Sequence, residues 1–117
     1  DNIVIKKINN VNFIYLIAED FPNKSLKSFI DDQKKKYSNK SVYFIVSNDQ
    51  KKLSIVLGVS NDIKEKFDAS KEIINISKIL GGKGGGGRKD LAQGGGSNIS
   101  EIDSCIEYIE NKIDNIN

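Results

Sequence analysis

Residues 81–96 read Gly-Gly-Lys-Gly-Gly-Gly-Gly-Arg-Lys-Asp-Leu-Ala-Gln-Gly-Gly-Gly and hold nine of the ten glycines in the chain. Nothing else in the sequence restricts the fold so strongly. Each interior glycine gives up roughly 0.5–1 kcal/mol against alanine through backbone entropy, so the cluster needs a reason. One reason is that bare backbone N–H groups must come close to an anion, most naturally phosphate oxygens. A flexible linker is the bland alternative. Linkers of that kind usually mix Gly with Ser, however, and Asp90-Leu91-Ala92-Gln93 reads as ordered chain. Three cations, Lys83, Arg88 and Lys89, stand within or beside the run. From the residues alone, phosphate or nucleic-acid binding and a purely structural loop remain side by side.

Composition narrows the chemistry. The 117 residues suit one domain with a modest core. No apolar run approaches the ~18 residues of a membrane span. The chain begins at Asp1, not Met, which suggests a piece of a longer protein. Histidine is absent, and Cys105 is the only cysteine. A zinc site would have to combine one Cys with carboxylates, and a Ser/His or Cys/His nucleophile is impossible. The sole thiol fits a reducing compartment, and beside Ile106 it reads as a core residue. Net charge is only +2, yet it is unevenly spread. Residues 1–96 carry 17 Lys and Arg against 11 Asp and Glu, whereas residues 97–117 carry one Lys against five acids. The positive field therefore belongs to the part that holds the glycines.

Periodicity supplies the elements. Ile3–Ile8 and Phe13–Ala18 are apolar and β-branched around Asn9-Asn10, a hairpin signal. Phe21-Pro22-Asn23 ends the strand, with Asn23 as N-cap of a helix over 25–37 whose inner face is Leu26, Phe29, Ile30 and Tyr37. Asn39 closes it. Val42–Val46 and Leu53–Val59 make a second hairpin. Asn61–Phe67 reads as a short helix, and Ser70 caps a further one that ends at Leu80, with Gly81 at C′. After the glycines, Ser100 to Asp103 forms a capping box, or Asn98 caps with Glu101. Ile99, Ile102, Ile106, Ile109, Ile113 and Ile116 then make one stripe of a terminal amphipathic helix. The expected fold is α+β: a mostly antiparallel sheet of two hairpins under about three helices, with a Gly-rich loop before the last.

Catalytic motifs fail one by one. Gly82 and Gly87 have the spacing of a nucleotide-hydrolase phosphate loop, but Arg88-Lys89 stand where Lys-Ser/Thr is needed. A dinucleotide fingerprint should follow a strand and open a helix; here a helix leads in. Glu19-Asp20 and Asp31-Asp32 read as solvated acids. No catalytic residue and no metal ligand set is expected. Binding remains. Arg88 can fork two hydrogen bonds to one phosphate or to a guanine edge. Lys83 and Lys89 act as point charges, Gln93 bonds a base, a ribose or the loop, and Asp90 caps the loop or holds Arg88. Lys34-Lys35-Lys36 reads as a solvated helix end or an extension of a basic track. Phe29, Phe44 and Tyr15 are expected in the core, which leaves no evident aromatic for base stacking. Folded RNA read through backbone and shape suits a glycine-lined surface.

The helix–Gly-rich–Arg-Lys-Asp-Leu-Ala-Gln-Gly-Gly-Gly–helix arrangement resembles the C-terminal, DHH-associated domain of alanyl-tRNA synthetases over essentially the whole chain. There a glycine stretch precedes Arg-Pro-Asp, an apolar residue and Ala-Gln-Ala/Gly-Gly. The Val56-Leu57-Gly58-Val59-Ser60 strand and the isoleucine-rich last helix fit as well. The glycine run here is one longer, and Lys89 stands where proline is common. The resemblance implies a non-catalytic piece of a cytoplasmic ATP-dependent ligase that grips the outer elbow of alanine-accepting tRNA in support of aminoacylation and editing. It further implies Lys83, Gly84, Gly85, Gly86, Gly87, Arg88, Lys89, Gln93, Gly94 and Gly95 as the nucleic-acid contacts. ATP, magnesium and an editing zinc would belong to upstream domains, and a homodimer would form through an upstream helical segment. DHH-type phosphodiesterases share the domain, but they usually show Gly-Gly-His in the matching region, and this chain has no histidine. A dimerisation or interdomain module is the third reading. On the RNA reading, Gly85 and Gly86 are both expected to tolerate substitution without loss of fold.

Overall fold

Asn9 and Asn10 take φ of 53° and 65°, the left-handed pair that a two-residue hairpin turn demands. They join β1 (Val4–Ile8) to β2 (Val11–Glu19) in an antiparallel ladder. The structure, a computed structural model, describes residues 2–117. Pro22 ends the extended chain, and α1 (Asn23–Lys36) carries it across the sheet so that β3 (Ser41–Asn48) lies parallel to β2. β4 (Leu53–Val59) returns antiparallel to β3 and leads by turns through residues 61–66 to α2 (Ala69–Ile79). The glycine run then forms a third hairpin, β5 (Gly85–Gly87) and β6 (Leu91–Gly96), before a 3-10 turn at Ile99–Glu101 and α3 (Ile102–Asp114). The strand order is β1-β2-β3-β4-β6-β5, so β5 is a free edge.

The α+β class and the mostly antiparallel sheet are as expected from sequence. The glycine stretch, expected as a loop, is instead the sixth and fifth strands of that sheet. Strand alternation divides the core in two. Phe13, Val42, Phe44, Val46, Leu53, Ile55, Leu57 and Val59 face α2 and α3, where Ile73, Ile76, Ile106, Ile109 and Ile113 meet them. Ile14, Leu16, Tyr43, Ile45 and Val56 face α1 through Leu26, Phe29 and Ile30. Burial on both faces explains why β3 and β4 read as nearly unbroken apolar runs.

Several local expectations are corrected. Asn23 is the first residue of α1, Pro22 is its cap, and no side chain caps it; Tyr37, not Asn39, ends it. Residues 61–66 are turns, not a helix. Asp68, not Ser70, caps α2: its carboxylate accepts from the Ser70 N–H at 2.9 Å and from the Ser70 hydroxyl at 2.6 Å. No capping box forms before α3, because the 3-10 turn intervenes and Ser100 donates to Asn98 Oδ1. Ile99 is exposed while the rest of the isoleucine stripe packs on the core. Tyr15 is only half-buried. Cys105 is fully buried, and burial pushes its thiol up to about 12.

Candidate nucleic-acid interface

The glycine hairpin is positioned by what packs behind it. β6 pairs with β4 through Leu53↔Gly96, Ile55↔Gly94 and Leu57↔Ala92, and β5 pairs with β6 through Gly85↔Gly94 and Gly87↔Ala92. α2 lies directly on one face. A Cβ on Gly94 would stand 3.3 Å from Ile73 Cγ1, and one on Gly96 would stand 2.6 Å from Leu80 Cβ. Gly82 is closed tighter, with a Cβ only 2.0 Å from the Gly95 carbonyl oxygen. Ser77 of α2, fully buried, pins the run. Its hydroxyl donates to the Gly95 carbonyl at 2.6 Å and accepts from the Gly84 N–H at 3.0 Å. Gly81 at φ +74° makes the left-handed turn out of α2, the C′ role expected for it.

The tip is held as firmly. Arg88 and Leu91 exchange backbone hydrogen bonds around Lys89-Asp90, 2.8 Å from Arg88 N and 3.4 Å from Leu91 N. The Lys89 carbonyl accepts from Ala69 N at 2.8 Å, which ties the turn to the start of α2. The Asp90 carbonyl accepts from Val59 N at 2.9 Å and from Lys34 Nζ of α1 at 3.3 Å. A turn anchored to α1, β4 and α2 sets the direction of the side chains it carries.

Arg88 leaves this turn outward, its side chain 71% exposed. Its Nε donates to Asp90 Oδ1 at 3.1 Å, so Asp90 holds Arg88 as expected and leaves the terminal nitrogens without a hydrogen bond among the described residues. Burial pushes the Asp90 carboxyl up, but the Arg88 hydrogen bond and the charges of Lys34 and Arg88 outweigh it and hold it below the usual carboxylate range. Lys89 is directed elsewhere. Its ammonium donates to Glu65, which raises its pKa, and so it meets the 61–66 turns rather than Arg88. Lys83 is exposed and makes no ion pair among the described residues. Lys34 is not part of a solvated run, since it approaches Asp90 Oδ2 at 3.9 Å.

On the face away from α2 the hairpin is open. Gly86, Gly87, Arg88, Leu91, Ala92 and Gln93 line a shallow cleft there with Lys27 of α1, enclosing about 110 Å³. Nothing lies within 4 Å of a Cβ built on Gly86, and its φ is not left-handed. Gly85 is different: its Cβ would stand 2.4 Å from the Gln93 carbonyl oxygen. The expectation that both glycines tolerate substitution therefore holds for the geometry of Gly86 alone. As the edge strand, β5 also leaves half its N–H and C=O groups without a sheet partner. The fold brings Gly86, Gly87, Arg88 and Gln93 together; Gly84, Gly94 and Gly95 are half-buried supports, and Lys83 and Lys89 lie outside the cleft. Lys27 and Ser77 escaped sequence reading. For Lys27, the i, i+7 spacing to Lys34 on one helix flank was the available signal.

Among the described residues no group of three His, Cys, Asp or Glu could hold a metal ion, and the chain lacks the His/Cys donors of an editing zinc site. No helix among them is long and apolar enough to cross a membrane. The DHHA1 domain matches residues 10–115. The alanine–tRNA ligase of Hyphomonas neptunium is 36% identical over 102 residues, covering 87% of this chain and 12% of that protein. That of Rickettsia bellii is 34% identical over 109 residues, covering 93% and 12%. The chain thus spans about an eighth of the curated relatives it matches. Among solved structures, the C-Ala domain from Aquifex aeolicus alanyl-tRNA synthetase superposes with a TM-score of 0.88 at 30% identity, covering 95% of this chain and 98% of that one. A DHH-domain protein described as a member of the s1p family of ribosomal proteins shares the fold, with a TM-score of 0.68 at 16% identity over 97% of this chain and 28% of that one. The chain belongs to the DHHA1 domain family, and its fold is that of the C-Ala domain of alanyl-tRNA synthetase.

Proposed function

We propose that this chain is the tRNA-binding C-terminal part of an alanine–tRNA ligase and that it grips the tRNA elbow. The observation that carries this reading is Gly86. The fold gives most of its neighbours a reason to be glycine, but it gives Gly86 none, and Gly86 lies beside the outward Arg88 on the open face of a hairpin shut from behind by α2. A bare backbone edge next to a forked cation suits phosphate and sugar oxygens. Gly85, Gly86, Gly87, Arg88 and Gln93 are the proposed contacts, with the exposed Lys83 adding charge beside the cleft. Gly84, Lys89, Gly94 and Gly95 shape the hairpin that presents them.

On this reading the chain itself performs no step of catalysis. ATP, magnesium and an editing zinc act in other parts of the ligase, in the cytoplasm where charged tRNA is used, and any dimer forms through a helical segment upstream. The phosphodiesterase reading has only a likeness of fold in its favour. The test is fluorescence anisotropy of the chain with intact tRNA and with its acceptor-stem minihelix, at two salt concentrations. Preference for intact tRNA that weakens with salt supports an elbow contact. Equal binding to both, or none to either, overturns it.

A further inference from the structure

We infer that α1 forms the second wall of the RNA site, with Lys27 contacting the same phosphodiester strand that lies on the glycine hairpin. This deepens the function just proposed and rests on it. The cleft runs between Lys27 on one side and Gly86, Gly87, Arg88 and Gln93 on the other. Helix geometry places Lys34, seven residues on, along the same flank of α1. Lys34 is engaged with Asp90, whereas Lys27 makes no ion pair among the described residues and is exposed. One lysine therefore docks the helix against the hairpin and the other remains available to a ligand.

Size selects the ligand. At about 110 Å³ the cleft falls well below the ~300–1,000 Å³ typical of small-molecule pockets. It receives a group, not a whole nucleotide or cofactor. Cations from two elements flank a strand edge without side chains, which matches a phosphate diester continuing past both walls. The acids nearby set the path: Asp90 is occupied by Arg88 and Lys34, and Asp31 stands one turn along α1 from Lys27. The strand is thereby confined to the Lys27–Arg88 end of the cleft.

The experiment compares Lys27→Ala, Arg88→Ala and Lys36→Ala for binding of intact tRNA by anisotropy across a salt series. Lys36 lies nine residues on, about two and a half helical turns, which puts it on the opposite flank of α1 from Lys27, and it serves as the control. Lys27 is exposed and makes no side-chain hydrogen bond or ion pair among the described residues, so its removal is expected to leave the thermal transition in place. The expected result is weaker binding for Lys27→Ala and Arg88→Ala, each with a slope of log K on log salt shallower by about 0.7–0.9, and no change for Lys36→Ala. Arg88→Ala weakening binding while Lys27→Ala leaves it intact overturns the second wall alone. Equal losses for Lys27→Ala and Lys36→Ala overturn it too, as a diffuse charge effect. If neither Lys27→Ala nor Arg88→Ala changes binding, the proposed site itself fails.

Discussion

The strands β1–β4 and the hairpin β5–β6 belong to one sheet but are built by opposite means. In the first four strands, side chains do the work. Phe13, Phe44, Ile45 and Leu57 are fully buried, and alternation sends them to α2 and α3 or to α1. In the last two strands Leu91, Ala92 and Gln93 are the only residues with side chains. That hairpin forms because β4 offers a ladder, α2 offers Ser77, and the turn is tied at Ala69, Val59 and Lys34. A glycine strand has little preference of its own for extended structure, so here its surroundings impose it. What the molecule gains is a sheet edge with exposed backbone, firmly aimed.

That contrast can be broken most severely at Gly82. A methyl there collides with the Gly95 carbonyl, and Gly82→Ala is expected to cost about 3 kcal/mol of stability by chemical denaturation. A variant as stable as the parent would mean that the run is loosely packed after all. Ser77→Ala comes next. It removes one hydroxyl that serves the Gly84 N–H and the Gly95 carbonyl, so a loss of about 1–3 kcal/mol is expected, with hydrogen exchange rising first in β5. Faster exchange spread evenly over the sheet would place the pin elsewhere.

Asp68→Ala sharpens the comparison from the helix side. Losing the α2 cap should cost about 1 kcal/mol. Burial raises the Asp68 carboxyl, but hydrogen bonds from Ser70 and Lys71 outweigh it, so the folded pKa lies below the unfolded one. Its stabilisation is therefore present above the unfolded value and is lost as pH falls through the folded value. The parent should lose stability below about pH 4, and Asp68→Ala should lose less over the same range. Parallel acid limbs for the two proteins would remove Asp68 from that account.

The sequence was readable wherever side chains carried a period. The Asn9-Asn10 turn, both long hairpins, Gly81 at C′ and the isoleucine stripe of α3 all announce themselves by residue type. The third hairpin did not, because glycine carries neither alternation nor β-propensity. Residues 61–66 form turns because Ser60 and Asp62 hold the chain against Ser41 and Lys40, contacts between distant segments that residue type along the chain does not display. Within the candidate site, Arg88 and its partner Asp90 were legible from charge and proximity. Lys27 shares a flank of α1 with Lys34 by spacing alone, but its place opposite Gly86 arises only when α1 crosses the sheet.

Gly86 tests the central claim most directly, since it is the glycine that the packing does not require. Gly86→Ala should leave stability within about 0.5 kcal/mol of the parent while clearly weakening binding to intact tRNA in the anisotropy assay. Unchanged stability with unchanged tRNA affinity would contradict the claim that the open face of the glycine hairpin is where RNA meets this domain.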